Sequence, residues 1–123
     1  MTVKQILVVD DDAAIREVVA ACLQYLGHWD VRTAASGKEA LRQAKTEKPD
    51  AIVLDVMMPE MDGFAVLQDL HSNPTTQPIP VVLLTAHSYL LNTDRLPNLG
   101  VVLVIFKPFN AVDLVRQIAQ ALQ

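Results

Sequence analysis

A chain of 123 residues has room for one domain around one core. Its apolar fraction of 51% suits strands buried on both faces, yet no apolar run nears the ~20 residues of a membrane-spanning helix. A formal net charge of −4, with ten scattered basic residues, argues against direct nucleic-acid binding by this domain. Met1 to Gln5 run straight into a strand pattern with no signal-peptide layout. Cys22 is the only cysteine, so no internal disulfide forms, which suits a reducing cytoplasm. It lies in an apolar stripe with Val18 and Leu26 and reads as core packing.

Strand-like and helix-like segments alternate along the chain. Residues 4–10 read as a first strand through Ile6 to Val9. Asp12 offers an N-cap, and Ile15, Val18, Val19, Cys22, Leu23 and Leu26 recur at helical spacing until Gly27, a natural stop. A short strand is expected at 30–34. Ser36, with Glu39 three residues later, forms a capping-box pattern opening a second helix, which Pro49-Asp50 ends. Residues 51–55 read as a strand, and 57–63 as a loop by their Pro and Asp-Gly content. Phe64, Val66, Leu67 and Leu70 mark a third helix, and 73–78 a proline-bearing loop. Strand 81–84 follows Pro80. Residues 87–99 are ambiguous, since a helix lined by Tyr89, Leu90, Leu91 and Leu96 meets Pro97. Strand 101–106 precedes Lys107-Pro108-Phe109, and Asn110 caps a last helix through Leu114, Val115, Ile118, Ala119 and Leu122. Five strands alternating with helices predict an α/β domain with a parallel sheet covered on both faces. Right-handed crossovers prune the topologies, and more than one strand order survives.

Charged groups end three of the apolar runs. Asp10-Asp11 follow Ile6 to Val9, Asp55 follows Ala51 to Leu54, and Lys107 follows Val101 to Phe106. Open α/β sheets hold ligands at the carboxyl ends of their strands. Clustered carboxylates there call for a cation. Oxygen ligands without His or Cys favour a hard cation such as Mg²⁺. Asp55 is then the reactive candidate, because a carboxylate can attack phosphorus and form an acyl phosphate. Mg²⁺ and Lys107 can neutralise oxygens of the transferred group, and the Thr85 hydroxyl can donate to another. A cis Lys107–Pro108 bond would aim the lysine at this site.

Val-Val-Asp10-Asp11, the run from Asp55 through Pro59 to Asp62-Gly63, Thr85-Ala86 and Lys107-Pro108-Phe109 together resemble the receiver domain of two-component response regulators. The resemblance spans roughly residues 4–122. It implies a flavodoxin-like three-layer sandwich with strand order 2-1-3-4-5, an order given by a family example and not by spacing. It implies that Asp55 accepts a phosphoryl group from a phosphohistidine on a histidine kinase or phosphotransfer protein. Asp11 would bind Mg²⁺ directly, Asp10 partly through water, and Met57 through its backbone carbonyl. Thr85 and Lys107 would bind phosphoryl oxygens, and Pro59 and Gly63 would shape the loop. The added charge would bias a two-state element and so change binding of a downstream protein.

The sequence departs from that pattern in places. Val104 stands where many receivers carry Tyr or Phe, so the aromatic part of the usual switch is not expected. Phe106 shares its strand face, displaced along it. The final strand is unusually apolar. It reads either as a well-packed edge or, with residues 87–106, as a partner or dimer face on an otherwise monomeric domain. Met57 lies two residues beyond Asp55, where its thioether orients water poorly, so slow self-dephosphorylation is expected. His87, two beyond Thr85, can position water or stand exposed.

The expected whole is a single receiver domain over 1–123 with no output domain, and a signalling switch in place of an enzyme. An aspartyl-phosphate phosphatase would want a second acid where Met57 stands. A flavin carrier would want a phosphate-cradling loop where Asp10-Asp11-Asp12 would repel the phosphate. A phosphate-independent binding module would not need the acids, Thr85 and Lys107.

Overall fold

The computed structural model describes residues 4–56, 63–85 and 97–122. Five strands form one parallel sheet: β1 (Gln5–Val9), β2 (Asp30–Ala34), β3 (Ala51–Asp55), β4 (Val81–Thr85) and β5 (Val101–Phe106). Their order across the sheet is β2-β1-β3-β4-β5. Among the described residues four helices cover it: α1 (Ala13–Tyr25), α2 (Gly37–Glu47), α3 (Gly63–Ser72) and α4 (Ala111–Ala121). The α/β class and the strand order of the flavodoxin-like fold are thus present. Pro97–Leu99 form a 3₁₀ turn entering β5; the other residues of the ambiguous 87–99 stretch lie outside the described residues.

Strand alternation splits the core in two. Leu7, Val9, Ile52, Leu54, Val81 and Leu83 pack with Ala40, Ala44, Val66, Leu67 and Leu70 beneath α2 and α3. Ile6, Val8, Val53, Val82, Leu84 and Ile105 pack with Val19, Leu23, Leu114 and Ile118 beneath α1 and α4. The interior strands β3 and β4 are buried at every residue, as continuous apolar runs in a parallel sheet should be. The sheet edges differ. On β2, Asp30, Arg32 and Thr33 are exposed. On β5, Val102 and Phe106 are each 48% exposed. A register shift separates the pairings of Val81 with Val101 and of Val82 with Leu103.

The helix starts follow their caps. Asp12 accepts hydrogen bonds from the Ala14 and Ile15 N–H groups at 2.9 and 3.2 Å, and Asn110 from those of Val112 and Asp113. Ser36 caps α2 by accepting from Glu39 N–H. The return half of the expected capping box lands one residue early, since Glu39 accepts from the Ala35 N–H. Gly27 ends α1 for a reason other than a left-handed backbone. The positive φ, 59°, belongs to His28. A Cβ at Gly27 would lie 2.6 Å from the Trp29 ring and 2.8 Å from the Leu23 carbonyl, so this glycine is a close-approach site that lets Trp29 fold back onto the α1/α4 core.

Two loop details position the strands. The Leu70 carbonyl has no N–H to meet one turn on, because residue 74 is proline. The buried Thr76 hydroxyl donates to it at 2.6 Å instead. Gly63 sits against the end of β3. Its N–H donates to the Val56 carbonyl at 2.8 Å, and a Cβ there would lie 2.7 Å from Val56 Cα and 2.9 Å from the Asp55 carbonyl oxygen. Two outcomes are expected in denaturant unfolding. Thr76→Val, which leaves a buried carbonyl unsatisfied, costs about 1–3 kcal/mol. Gly63→Ala, which overpacks backbone against backbone, costs about 1–3 kcal/mol and shifts the Asp55 amide resonance.

Candidate functional site

The sheet register gathers the acids. Val9 pairs with Leu54, so Asp10 and Asp55, the next residues, emerge side by side from neighbouring strands. The row that carries them runs through Ile6 and Val8 on β1 and Ala51 and Val53 on β3, the side covered by α1 and α4. Asp55 pairs with Leu84 across to β4, and Thr85 with Phe106 across to β5. The Lys107 N–H donates to the Thr85 carbonyl at 2.8 Å, continuing that ladder past the strand end. The Lys107–Pro108 bond is cis.

Asp10 and Asp55 are almost completely buried, at 2% and 5% exposure. Lys107 spans both: its Nζ lies 3.6 Å from Asp10 Oδ2 and 3.5 Å from Asp55 Oδ1. Asp11 is exposed, yet Asp10, Asp11 and Asp55 each bring a carboxylate oxygen within 4.8 Å of the others. Among the described residues, three formal negative charges against the positive charge of Lys107 leave −2, which a divalent cation would balance.

The donor set fits such an ion in a second way. Asp10 Oδ1 accepts from the Asp12 N–H at 2.9 Å, which fixes the carboxylate plane. Asp10 Oδ2 is buried and, among the described residues, meets Lys107 only as an ion pair at 3.6 Å and accepts no hydrogen bond. A buried carboxylate oxygen without a donor is costly, and a hard cation satisfies it without needing one.

Of the residues singled out by sequence, Asp10, Asp11, Asp55 and Lys107 therefore meet at one point. Thr85 is fully buried beside them on β4, on the strand row of Val81 and Leu83 that faces α2 and α3. Met57, with its backbone carbonyl, Pro59, Asp62 and His87 lie outside the described residues. Val104 packs partly buried against the α2/α3 core, while Phe106 stands half-exposed.

One contact escapes a reading by spacing alone. Arg16 Nη1 donates to the Asp10 backbone carbonyl at 2.8 Å. The available signal was local: a cation in the first turn of a helix opposes the helix dipole, so it needs some other reason to be there.

A family model described as the response regulator receiver domain matches residues 6–119. A "Probable transcriptional regulator ycf27" of Porphyridium aerugineum is 39% identical over 125 residues, covering 100% of this chain and 50% of that protein. The chain thus spans about half the length of the curated relatives it matches. Among solved structures, chemotaxis response regulator CheY4 of Vibrio cholerae is 32% identical, with a TM-score of 0.87 and coverage of 98% of this chain and 99% of that one. The receiver domain of sensor histidine kinase PA1611 from Pseudomonas aeruginosa PAO1 is 28% identical at a TM-score of 0.84, covering 98% of each chain, and is described with a magnesium ion in its active site cleft. With a matching family model over nearly its whole length and this fold, the chain belongs to the response regulator receiver family of two-component signalling.

Proposed function

We propose that Asp55 is the phosphoacceptor of a Mg²⁺-dependent switch, charged by a histidine kinase or a histidine phosphotransfer protein. The observation that carries this is the placing of buried Asp55 and Asp10 around one lysine, with Asp11 at the rim. One Asp55 carboxylate oxygen attacks phosphorus. The P–N bond to the donor histidine breaks, a P–O bond forms, and the imidazole leaves with the electron pair. Most of the catalysis is positioning and charge neutralisation. Lys107 holds an ammonium 3.5 Å from the attacking carboxylate, ready to pair with a phosphoryl oxygen. Thr85 supplies a hydroxyl to another. Asp10, Asp11, Asp55 and the Met57 carbonyl would hold Mg²⁺, which when bound neutralises developing charge on the phosphoryl oxygens. The protein promotes only its own phosphorylation and dephosphorylation, and its output is altered binding to a downstream protein.

Two settings for this switch are distinguishable. In the first, residues 1–123 act alone in the cytoplasm as a single-domain regulator, monomeric or weakly self-associating through the 87–106 face. In the second, the same switch controls a longer transcriptional regulator, a reading favoured by relatives of that description and twice this length. In that case nucleic acid would be met by the longer protein, and the net charge of −4 bears only on the residues here. The mass of the native gene product separates the settings.

Incubation with acetyl phosphate and Mg²⁺ should give a single phosphoryl adduct by intact mass, absent without Mg²⁺ and absent in Asp55→Asn. An adduct that persists in Asp55→Asn would move the acceptor elsewhere. Lys107→Ala removes the ammonium that pairs with both buried acids. It should cost about 2 kcal/mol, below the roughly 3–5 of a fully buried pair because the lysine is partly exposed. Mg²⁺ should then raise the unfolding midpoint of Lys107→Ala more than that of the parent protein, since the ion supplies the missing charge.

A further inference from the structure

We propose that Arg16 is a positioning residue for the acid cluster, bracing the corner between β1 and α1 on which Asp10 and Asp11 are carried. This inference rests on reading that cluster as a Mg²⁺ site. Arg16 is the fourth residue of α1, and its N–H closes the first helical turn by donating to the Asp12 carbonyl at 2.9 Å. Side chains on a helix tilt toward its N-terminus. That tilt carries the guanidinium back over the corner, where Nη1 donates to the Asp10 carbonyl at 2.8 Å. The contact is part-buried, and among the described residues Arg16 makes no ion pair with a carboxylate.

An arginine used for its charge would be expected to seek one of the nearby acids. Arg16 instead spends its donor on a main-chain oxygen, in a helix turn whose dipole disfavours a cation. The Asp10 main chain is thereby held from both sides: its N–H donates to the Ala34 carbonyl at 3.2 Å, and its carbonyl accepts from Arg16. The Asp10 side chain is held at Oδ1 by the Asp12 N–H. Oδ2 is left aimed at Lys107 and, among the described residues, accepts no hydrogen bond. Three hydrogen bonds on one residue orient a single oxygen toward Lys107, and among the described residues Arg16 contributes the one that comes from a side chain. Outer partners of metal ligands act in this way, and losing one typically costs 10–100-fold in metal affinity.

The sign of the effect separates this role from plain electrostatics. A positive charge beside a cation site repels the cation, so removing it should tighten Mg²⁺ binding. Removing a brace should weaken binding. Mg²⁺ affinity, followed by amide resonances, and hydrogen exchange at the Asp12 N–H would be measured in the parent, Arg16→Ala and Arg16→Lys proteins. Arg16→Ala should bind Mg²⁺ roughly 10-fold more weakly and exchange the Asp12 amide faster, with its unfolding midpoint little changed. Arg16→Lys keeps the charge and one donor but loses the planar fork, and should fall between the other two. Tighter Mg²⁺ binding in Arg16→Ala, or a lowered midpoint with unchanged affinity and exchange, would overturn the proposal. If Arg16→Ala does not fold, Arg16→Lys decides it by the same two readouts. A parent protein that takes no Mg²⁺ sinks the metal reading instead, and Asp12 exchange alone then judges the brace.

Discussion

Two carboxylates held side by side in an apolar sheet, with one lysine between them, set the terms for the rest of this molecule. Asp10 and Asp55 are buried for the same reason that Val9 and Leu54 are: they continue central strands covered on both faces. Burial raises the electrostatic stakes. In water such a pair would be loosely screened, whereas here each charge must be matched nearby. Lys107 matches part of it. The remaining imbalance makes the site receptive to a divalent cation and sensitive to any added negative charge. Phosphorylating the Asp55 carboxylate would replace its single negative charge by the roughly −2 of an acyl phosphate, a net addition of about −1 beside the Lys107 ammonium. A large electrostatic change at the strand ends is the natural input of a switch.

Much of this was legible in the sequence because apolar runs ending in a charged residue report two things at once. They mark strands buried on both faces, and they place the charge at the end of the sheet where ligands bind. Asp10, Asp55 and Lys107 were found that way. Strand order was not readable from periodicity, since the pattern says that a strand is buried and not which strand lies beside it. Capping residues Asp12, Ser36 and Asn110 were readable because the N-cap bond is local.

What escaped depends on contacts between residues that no local rule connects. Thr76 lies in a stretch that reads only as a loop, yet it stands in for the N–H that Pro74 lacks. Gly27 reads as a helix stop by conformation, while its real constraint is the ring of Trp29. Arg16 reads as one of several polar positions on an amphipathic helix, and its bond to Asp10 becomes visible only when α1 is set against β1. In each case the decisive partner is a carbonyl oxygen or a ring within six residues, brought near by a bend of the chain that hydrophobic spacing does not specify.

The unlike edges of the sheet constrain how copies of this domain can assemble. The β2 edge shows Asp30 and Arg32, whose side chains are about half exposed and 3.8 Å apart as an ion pair; inserting another strand there would mean desolvating them. The β5 edge shows Val102 and Phe106, which gain by being covered. Head-to-tail growth would need both edges to accept a neighbour. Among the described residues only the β5 edge is apolar, so a contact made edge to edge with a second copy would have to join β5 to β5, a two-fold arrangement that closes on itself. The two edges are therefore unequal as places for another strand to add, the charged β2 edge costing desolvation that the apolar β5 edge does not.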